Sequence, residues 1–348
     1  MRDAEQPGRP MRLIRRADAR LGLGLMTIAL GVAGCDAPME IFSSASEAAA
    51  RVTYLTWFMI ILSVVVYAIV MVAMFVAMSR NRHRAVDSVD LADHGVRSIV
   101  ICGMILPALI LGAIFVVASS ALGKYPDPKS PLTIRVTGHQ WWWELDYQLA
   151  TLDQHFKAAN EIHIPVGQPV RLVVTSADVI HSFWVPQLQG KIDMIPGDTN
   201  VLRLQARQPG TYTGQCAEFC GAQHAKMGFT VVADDSATFA GWLRSQLADG
   251  EQPSDSTTLN GQRLFVSGPC ALCHTVRGTP ASGSVAPDLT HVASRTRIAA
   301  GTLPNTLGSL EGWIANAQSL KPGAKMPVIT QYNGLQLREI ATYVASLK

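Results

Sequence analysis

The sequence predicts a multidomain membrane protein: a two-helix transmembrane hairpin, then an all-β sandwich, then a small all-α domain. Three observations carry this. Two uncharged runs, Thr53–Met78 and Ser98–Leu122, each exceed the roughly 20 residues a helix needs to cross a bilayer. From about residue 131, short β-branched runs are punctuated by Pro and Gly. In the last quarter, Leu337, Ile340, Tyr343, Val344 and Leu347 mark one apolar helix face. The 348 residues allow two or three domains, and the charged fraction of 16% falls below the roughly 25% of soluble domains because of the apolar runs.

Residues 1–35 read as an export signal. Arg12, Arg15, Arg16 and Arg20 precede the apolar stretch Leu21–Ala33, which is short for a membrane span. It ends Val32-Ala-Gly-Cys35, and small residues before a cysteine resemble a bacterial lipoprotein cleavage box, which would leave Cys35 as a lipidated N-terminus. An uncleaved segment with an incidental cysteine is the alternative, and Met11 is a second possible start. The hairpin spans 50–122. Its connecting loop carries Arg80, Arg82, Arg84 and Arg97, which favours the cytoplasmic side, so both outer ends face outward, as the export signal also requires. Pro107 interrupts the second run, which membrane helices tolerate. Cys102 is expected to be a packed apolar residue.

The β domain is expected over 131–248. Leu132–Val136, Glu161–Ile164, Val170–Val174, Val201–Leu204 and Gly228–Val232 read as strands, and Phe239, Trp242, Leu243 and Leu247 as a trailing helix over 237–248. The polar stretch 249–256 reads as a linker. The final domain covers 257–348. A helix around Leu259–Val266 is expected to pack on the C-terminal one, and a short helix is expected around Trp313.

Chemistry concentrates in two motifs. Cys216-Ala-Glu-Phe-Cys220-Gly-Ala-Gln-His224-Ala-Lys-Met227 puts two thiols, an imidazole and a thioether close together. Such soft ligands suit copper or zinc, and Met favours copper. Two cysteines can bridge two metal ions if a second histidine joins, and His181 is the best candidate. A Cys216–Cys220 disulfide and a zinc site are the alternatives. The second motif, Cys270-Ala-Leu-Cys273-His274, has the spacing of covalent haem c attachment. Met326, the one methionine after it, is the candidate for the opposite iron ligand.

The pattern His…Cys-x-Glu-x-Cys-x-x-x-His-x-x-Met resembles the dinuclear copper A site of cytochrome c oxidase subunit II. Gly138-His-Gln-Trp-Trp-Trp143 resembles that family's aromatic strand, and Ile195-Pro-Gly197 a turn it carries. The likeness runs from about residue 50 to 247, and residues 257–348 resemble a class I cytochrome c. The resemblance implies a cupredoxin-like sandwich holding copper at His181, Cys216, Glu218 (through its carbonyl), Cys220, His224 and Met227. It also implies a magnesium or manganese at the Glu218 side chain, shared with subunit I, and electron input at Trp141. Because strand side chains alternate, Trp141 and Trp143 are expected on one face and Trp142 on the other. Ala286-Pro-Asp-Leu289 resembles the segment whose carbonyl accepts from the haem-binding histidine. His139, His155 and His163 have no partner pattern and are expected to be structural or surface residues.

Charge divides unevenly. Residues 131–235 hold seven Lys/Arg against ten Asp/Glu, net −3, while 257–348 hold eight against three, net +5. Opposite fields favour docking of the haem domain on the copper domain, and the linker raises their effective concentration. The resemblance as a whole implies subunit II of an oxygen-reducing, proton-translocating oxidase in the bacterial inner membrane. Both cofactor domains would lie on the outer face. Its partners would be subunit I, subunit III, membrane lipid and an external donor (cytochrome c or a quinol–cytochrome c reductase), with no nucleic acid. The uncharged runs contain no histidine, so oxygen reduction would belong to another subunit. Alternatives are the copper A subunit of another terminal reductase, such as nitric oxide reductase, and a stand-alone membrane-anchored electron-transfer protein.

Overall fold

The computed structural model describes residues 39–43, 45–80, 93–122, 130, 132–149 and 155–348. The export signal with Cys35, and the loop residues Arg82 and Arg84, lie outside the described residues. Helix α1 (Glu47–Arg80) is 34 residues long. Helix α2 (Asp93–Val100) runs through a π-turn, Ile101–Ile105, into α3 (Leu106–Leu122). The wide turn has a local cause: Pro107 lacks an N–H and its ring crowds the carbonyl one turn back, so the ladder opens just before it.

Both helical stretches are long and apolar enough to cross a membrane, with mean hydropathy 2.9 in an 18-residue stretch of Glu47–Arg80 and 2.8 in one of Gly95–Ser119. They turn large apolar side chains outward, including Phe75 at 69% and Phe115 at 71% exposure. Water penalises such a surface and acyl chains do not. Cys102, expected to pack, lies exposed on this surface, because the span around it buries nothing among the described residues. The start of α1 is fastened to the sandwich: Ser46 Oγ donates to Leu188 O, and Arg207 N donates to Ala45 O at 2.7 Å.

The sandwich has two five-stranded sheets. The first contains β1 (Thr133–His139), β2 (Trp142–Gln148), β3 (His155–Ala159), β5 (Val170–Ser176) and β8 (Asn200–Leu204), in the order β3-β2-β1-β5-β8. The second contains β4 (Glu161–Pro165), β6 (His181–Val185), β7 (Gln189–Met194), β9 (Gly210–Cys216) and β10 (Gly228–Asp234), in the order β4-β10-β9-β6-β7. Pairs β1/β5 and β4/β10 are parallel. Alternation drives the packing: Ile134 and Val136 of β1, and Trp143, Leu145 and Tyr147 of β2, point inward and are essentially inaccessible. Each such burial is worth about 1.5–3 kcal/mol. Trp141 departs from the expected alternation. The β1/β2 register pairs His139 with Trp142, so Gln140 and Trp141 form the tip of the hairpin.

Helix α4 (Ser236–Leu247) starts at Asp235, whose carboxylate accepts from Ala237 N and Thr238 N. It lays Phe239 and Trp242 on the sandwich, with Trp242 stacked on His163 at 4.2 Å. Residues 249–255 hold no helix or strand, yet they are not a free tether: Gly250 N donates to Arg277 O at 3.0 Å. The last domain comprises α5 (Ser256–Ser267), the single turn α6 (Cys270–Cys273), α7 (Leu307–Leu320) and α8 (Gly334–Ser346). The short helix expected near Trp313 is the first part of α7, which kinks at Asn316 (φ −156°, ψ 81°) before its last turn. Helices α5 and α8 cross at Gly261, where an added Cβ would lie 2.1 Å from Glu339 O. The crossing closes a second core of Phe265, Leu310, Ile314, Ile340, Tyr343 and Val344.

Candidate metal centre and haem site

The sulfur ligands gather where β9 ends. Cys216 is the last residue of β9, and its N–H donates to Met227 O at 3.1 Å, which closes the loop 217–227 on itself. His181 is the first residue of β6 rather than a loop residue. The β6/β9 pairing, with Phe183 opposite Cys216, brings its Nδ1 to 3.8 Å from Cys216 Sγ. Cys216 Sγ and Cys220 Sγ lie 3.8 Å apart, far beyond the roughly 2.05 Å of a disulfide, and both cysteines are free. Cys220 Sγ is 3.6 Å from His224 Nδ1 and 3.7 Å from Met227 Sδ. Glu218 turns its carbonyl inward, 3.2 Å from Cys216 Sγ, while its carboxylate faces out, 3.9 Å from Lys191 Nζ. The structure therefore brings together all six residues of the expected copper set. His181, Cys216, Cys220 and Met227 are at most 2% exposed.

Residues around the cluster hold it in place. Asp178 accepts from His181 Nε2–H at 2.8 Å, which leaves Nδ1 unprotonated and aimed at the sulfurs. The same carboxylate accepts from Gln140 N and Val179 N. Burial pushes the Asp178 carboxyl up, but these bonds outweigh it and hold it below its ordinary range. Gln140 Nε2 and Trp141 Nε1 both donate to Cys220 O, at 2.8 and 3.0 Å. Trp143 Nε1 reaches Met227 O at 3.4 Å. The contact between the two thiols pulls Cys216 down and, by the same coupling and by burial, pushes Cys220 up. A metal cation is what lets both become thiolates. Thioether, paired thiols and imidazoles in a dry cluster under 4 Å across its neighbouring atoms fit copper.

Cys270 and Cys273 bracket the turn α6, both half-buried, with Cys270 packed against the second core. His274 Nδ1–H donates to Pro287 O at 2.7 Å, in the expected proline segment, so Nε2 is free to bind iron. Burial pushes the His274 imidazole down, which favours the neutral, ligating form. Met326 packs on the same core, and its carbonyl accepts from Gln318 Nε2 at 2.7 Å. Two thiols, a histidine with one nitrogen tied back and a methionine packed on the same core as Cys270 fit a covalent haem.

Of the histidines expected to be structural, His139 stacks on Trp142 at 4.4 Å and His163 pairs with Asp234 at 2.8 Å. His155 is exposed on β3, 3.8 Å from Asp146. Sequence reasoning missed Asp178, although its place three residues before His181 was the available signal. It also missed Gln223, Lys226 and Lys321, which fasten the two domains together.

A membrane-anchored protein with a cupredoxin-like sandwich and a cytochrome c domain is an electron-transfer protein by construction. Residues 149–234 match the family described as cytochrome c oxidase subunit II, periplasmic domain, and residues 259–348 match cytochrome c. Cytochrome c oxidase subunit 2 of Alkalihalophilus pseudofirmus is 34% identical over 300 residues, covering 83% of this chain and 86% of that protein. The Bacillus subtilis protein of the same name is 27% identical over 329 residues, covering 88% of this chain and 91% of that protein. The solved periplasmic domain of subunit II of cytochrome oxidase from Bradyrhizobium japonicum is 34% identical, covers 35% of this chain and 96% of that chain, and has a TM-score of 0.33. The chain belongs to the cytochrome c oxidase subunit II family, in a form that carries a cytochrome c domain. The subunit II domain implies copper and the cytochrome domain implies haem c, within an oxidase complex of several subunits.

Proposed function

We propose that this chain relays electrons from an external donor to its own haem c, then to a dinuclear copper A centre, and on to the haem of subunit I, where oxygen is reduced to water. Haem c and the copper pair, when bound, each take up and release one electron at a time. Cys270 and Cys273 would attach the haem, and His274 and Met326 would supply its iron ligands. His181, Cys216, Cys220, His224, Met227 and the Glu218 carbonyl hold the copper pair. Both domains face the outer side of the membrane. The Glu218 carboxylate, turned away from the copper donors and beside Lys191, would reach a magnesium or manganese shared with subunit I. Subunit III and a cytochrome c or quinol–cytochrome c reductase are the further expected partners.

One observation carries the order of transfer. The segment that holds Met326 is bonded to the loops that hold the copper ligands: Lys325 Nζ lies 3.5 Å from the Asp178 carboxylate, and Gln223 Nε2 donates to Pro322 O at 2.8 Å. The basic cytochrome and the acidic sandwich meet here as their charges favour. Rapid mixing of the intact oxidase with reduced donor tests the order. Haem c should reduce first, and copper should follow at a rate independent of donor concentration. Equal copper reduction in a Cys270→Ala/Cys273→Ala variant would contradict it.

A further inference from the structure

Lys321 follows the last residue of α7 and is 2% exposed. Its Nζ donates to three backbone carbonyls: Trp141 O at 2.7 Å, Lys226 O at 2.7 Å and Ala299 O at 3.2 Å. An ammonium has three N–H bonds, and all three are used. Two of the acceptors belong to the sandwich. Trp141 lies at the hairpin tip, and Lys226 lies between His224 and Met227. The third belongs to the cytochrome domain. Burial, then the nearby Lys226 charge, pull the Lys321 ammonium down to about 7, against a smaller upward pull from Cys220. Three carbonyl acceptors are what an ammonium, with its three N–H bonds, satisfies.

Neighbouring bonds repeat the pattern in both directions. Lys226 Nζ donates to Leu320 O at 2.8 Å, in the last turn of α7. Gly228 N, next to Met227, donates to Ala300 O at 3.0 Å. Gly323, with φ +84°, brings its backbone against the indole of Trp141, so that a Cβ there would sit 3.4 Å from Cζ3 and Cη2. That ring's Nε1 is the one bonded to Cys220 O.

We propose that Lys321 is the positioning residue of the interdomain junction: its buried ammonium pegs the cytochrome domain to the loop between two copper ligands and seats residues 322–323 on Trp141. The functional consequence rests on the haem-to-copper relay proposed above, but the peg itself does not. Lys321→Met keeps the apolar stem and takes the Nζ donor from Trp141 O and Lys226 O, while Ala299 O keeps the Thr302 hydroxyl at 2.8 Å. The haem domain then loses its fixed register on the copper loop.

The test is amide hydrogen exchange and hydroxyl-radical footprinting on the intact oxidase, wild type against Lys321→Met. Protection of the peptide covering Gly228 should fall at least tenfold, and Trp141 oxidation should rise at least threefold. Exchange in α5 should not change. In the same variant, haem-to-copper transfer should slow at least tenfold with both midpoint potentials unchanged. Unchanged protection at Gly228 would overturn the peg, and so would loosening of α5 to the same degree, because Lys321 would then support only its own domain. If Lys321→Met does not assemble, Gln223→Ala, which removes a sandwich-side bond to Pro322 O, should give the same two footprints at smaller amplitude. No change there overturns the proposal. A wild-type oxidase with intact footprints but no haem-to-copper transfer would refute the relay and leave the peg standing.

Discussion

The copper cluster and the haem motif are positioned by different physics. In the sandwich, cross-strand register places His181 against Cys216, and one closed loop supplies Cys220, His224 and Met227, all within 3.8 Å of a neighbouring donor. The backbone does the positioning, and Asp178, Gln140 and two tryptophans brace it. In the cytochrome domain, Cys270, Cys273 and His274 sit on a single turn, and only His274 has its ring orientation set, by Pro287 O. If the haem is held as proposed, covalent attachment would take over the role that register plays in the sandwich. A small ion needs donors placed to a fraction of an ångström. A large cofactor that is bonded to the chain needs only its anchors and its axial ligands.

The sharpest way to break the copper side is Cys220→Ser. Cys220 touches Cys216, His224 and Met227, so the substitution should abolish the mixed-valence copper signal altogether, read by electron paramagnetic resonance, while the haem spectrum stays intact. Met326→Ala is the matching test of the haem side. Loss of a thioether opposite His274 should lower the haem potential, measured by redox titration, and leave the copper signal unchanged. Asp178→Asn probes bracing rather than ligation. Copper retention should weaken about 10–100-fold in a chelator competition, as for other residues that orient a metal-bound histidine.

The smallest effect concerns the junction. Glu161 on β4 accepts from Thr296 N at 2.9 Å and from Thr296 Oγ1 across the junction, and from His163 on its own strand. Burial pushes its carboxyl up, yet these bonds outweigh it and hold it below the ordinary value of 4.5. Its share of stability is therefore full above 4.5 and is lost as pH falls through the depressed value. Glu161→Gln should cost about 1.5 kcal/mol at neutral pH, since charge-assisted bonds are the stronger ones, and should flatten the acid limb of a thermal-melt pH series.

Much of this was legible because the chemistry is local. Cys216, Cys220, His224 and Met227 share one loop, and Cys270, Cys273 and His274 share one turn, so spacing alone exposes them. The apolar spans and the α5/α8 pairing are legible for the same reason: period and length are properties of contiguous sequence. Trp141 was placed on the wrong kind of element, because three successive tryptophans look alike until the hairpin register decides which of them is the tip. Lys321 was illegible for a deeper reason. A lone lysine after a helix reads as a solvated charge, and two of its three acceptors lie 95 and 180 residues away, on backbone atoms that carry no sequence signature. Charge asymmetry between the domains foretold that they meet, but not which carbonyls receive the peg.

The most direct measurement is the copper and haem content of the purified chain together with its electron paramagnetic resonance spectrum. A chain that carries both centres in series should hold a pair of coppers and a single covalent haem, with one unpaired electron shared over both coppers. A single copper or zinc, or no metal with Cys216 and Cys220 joined as a disulfide, would contradict it and leave a tethered cytochrome on an inactive sandwich.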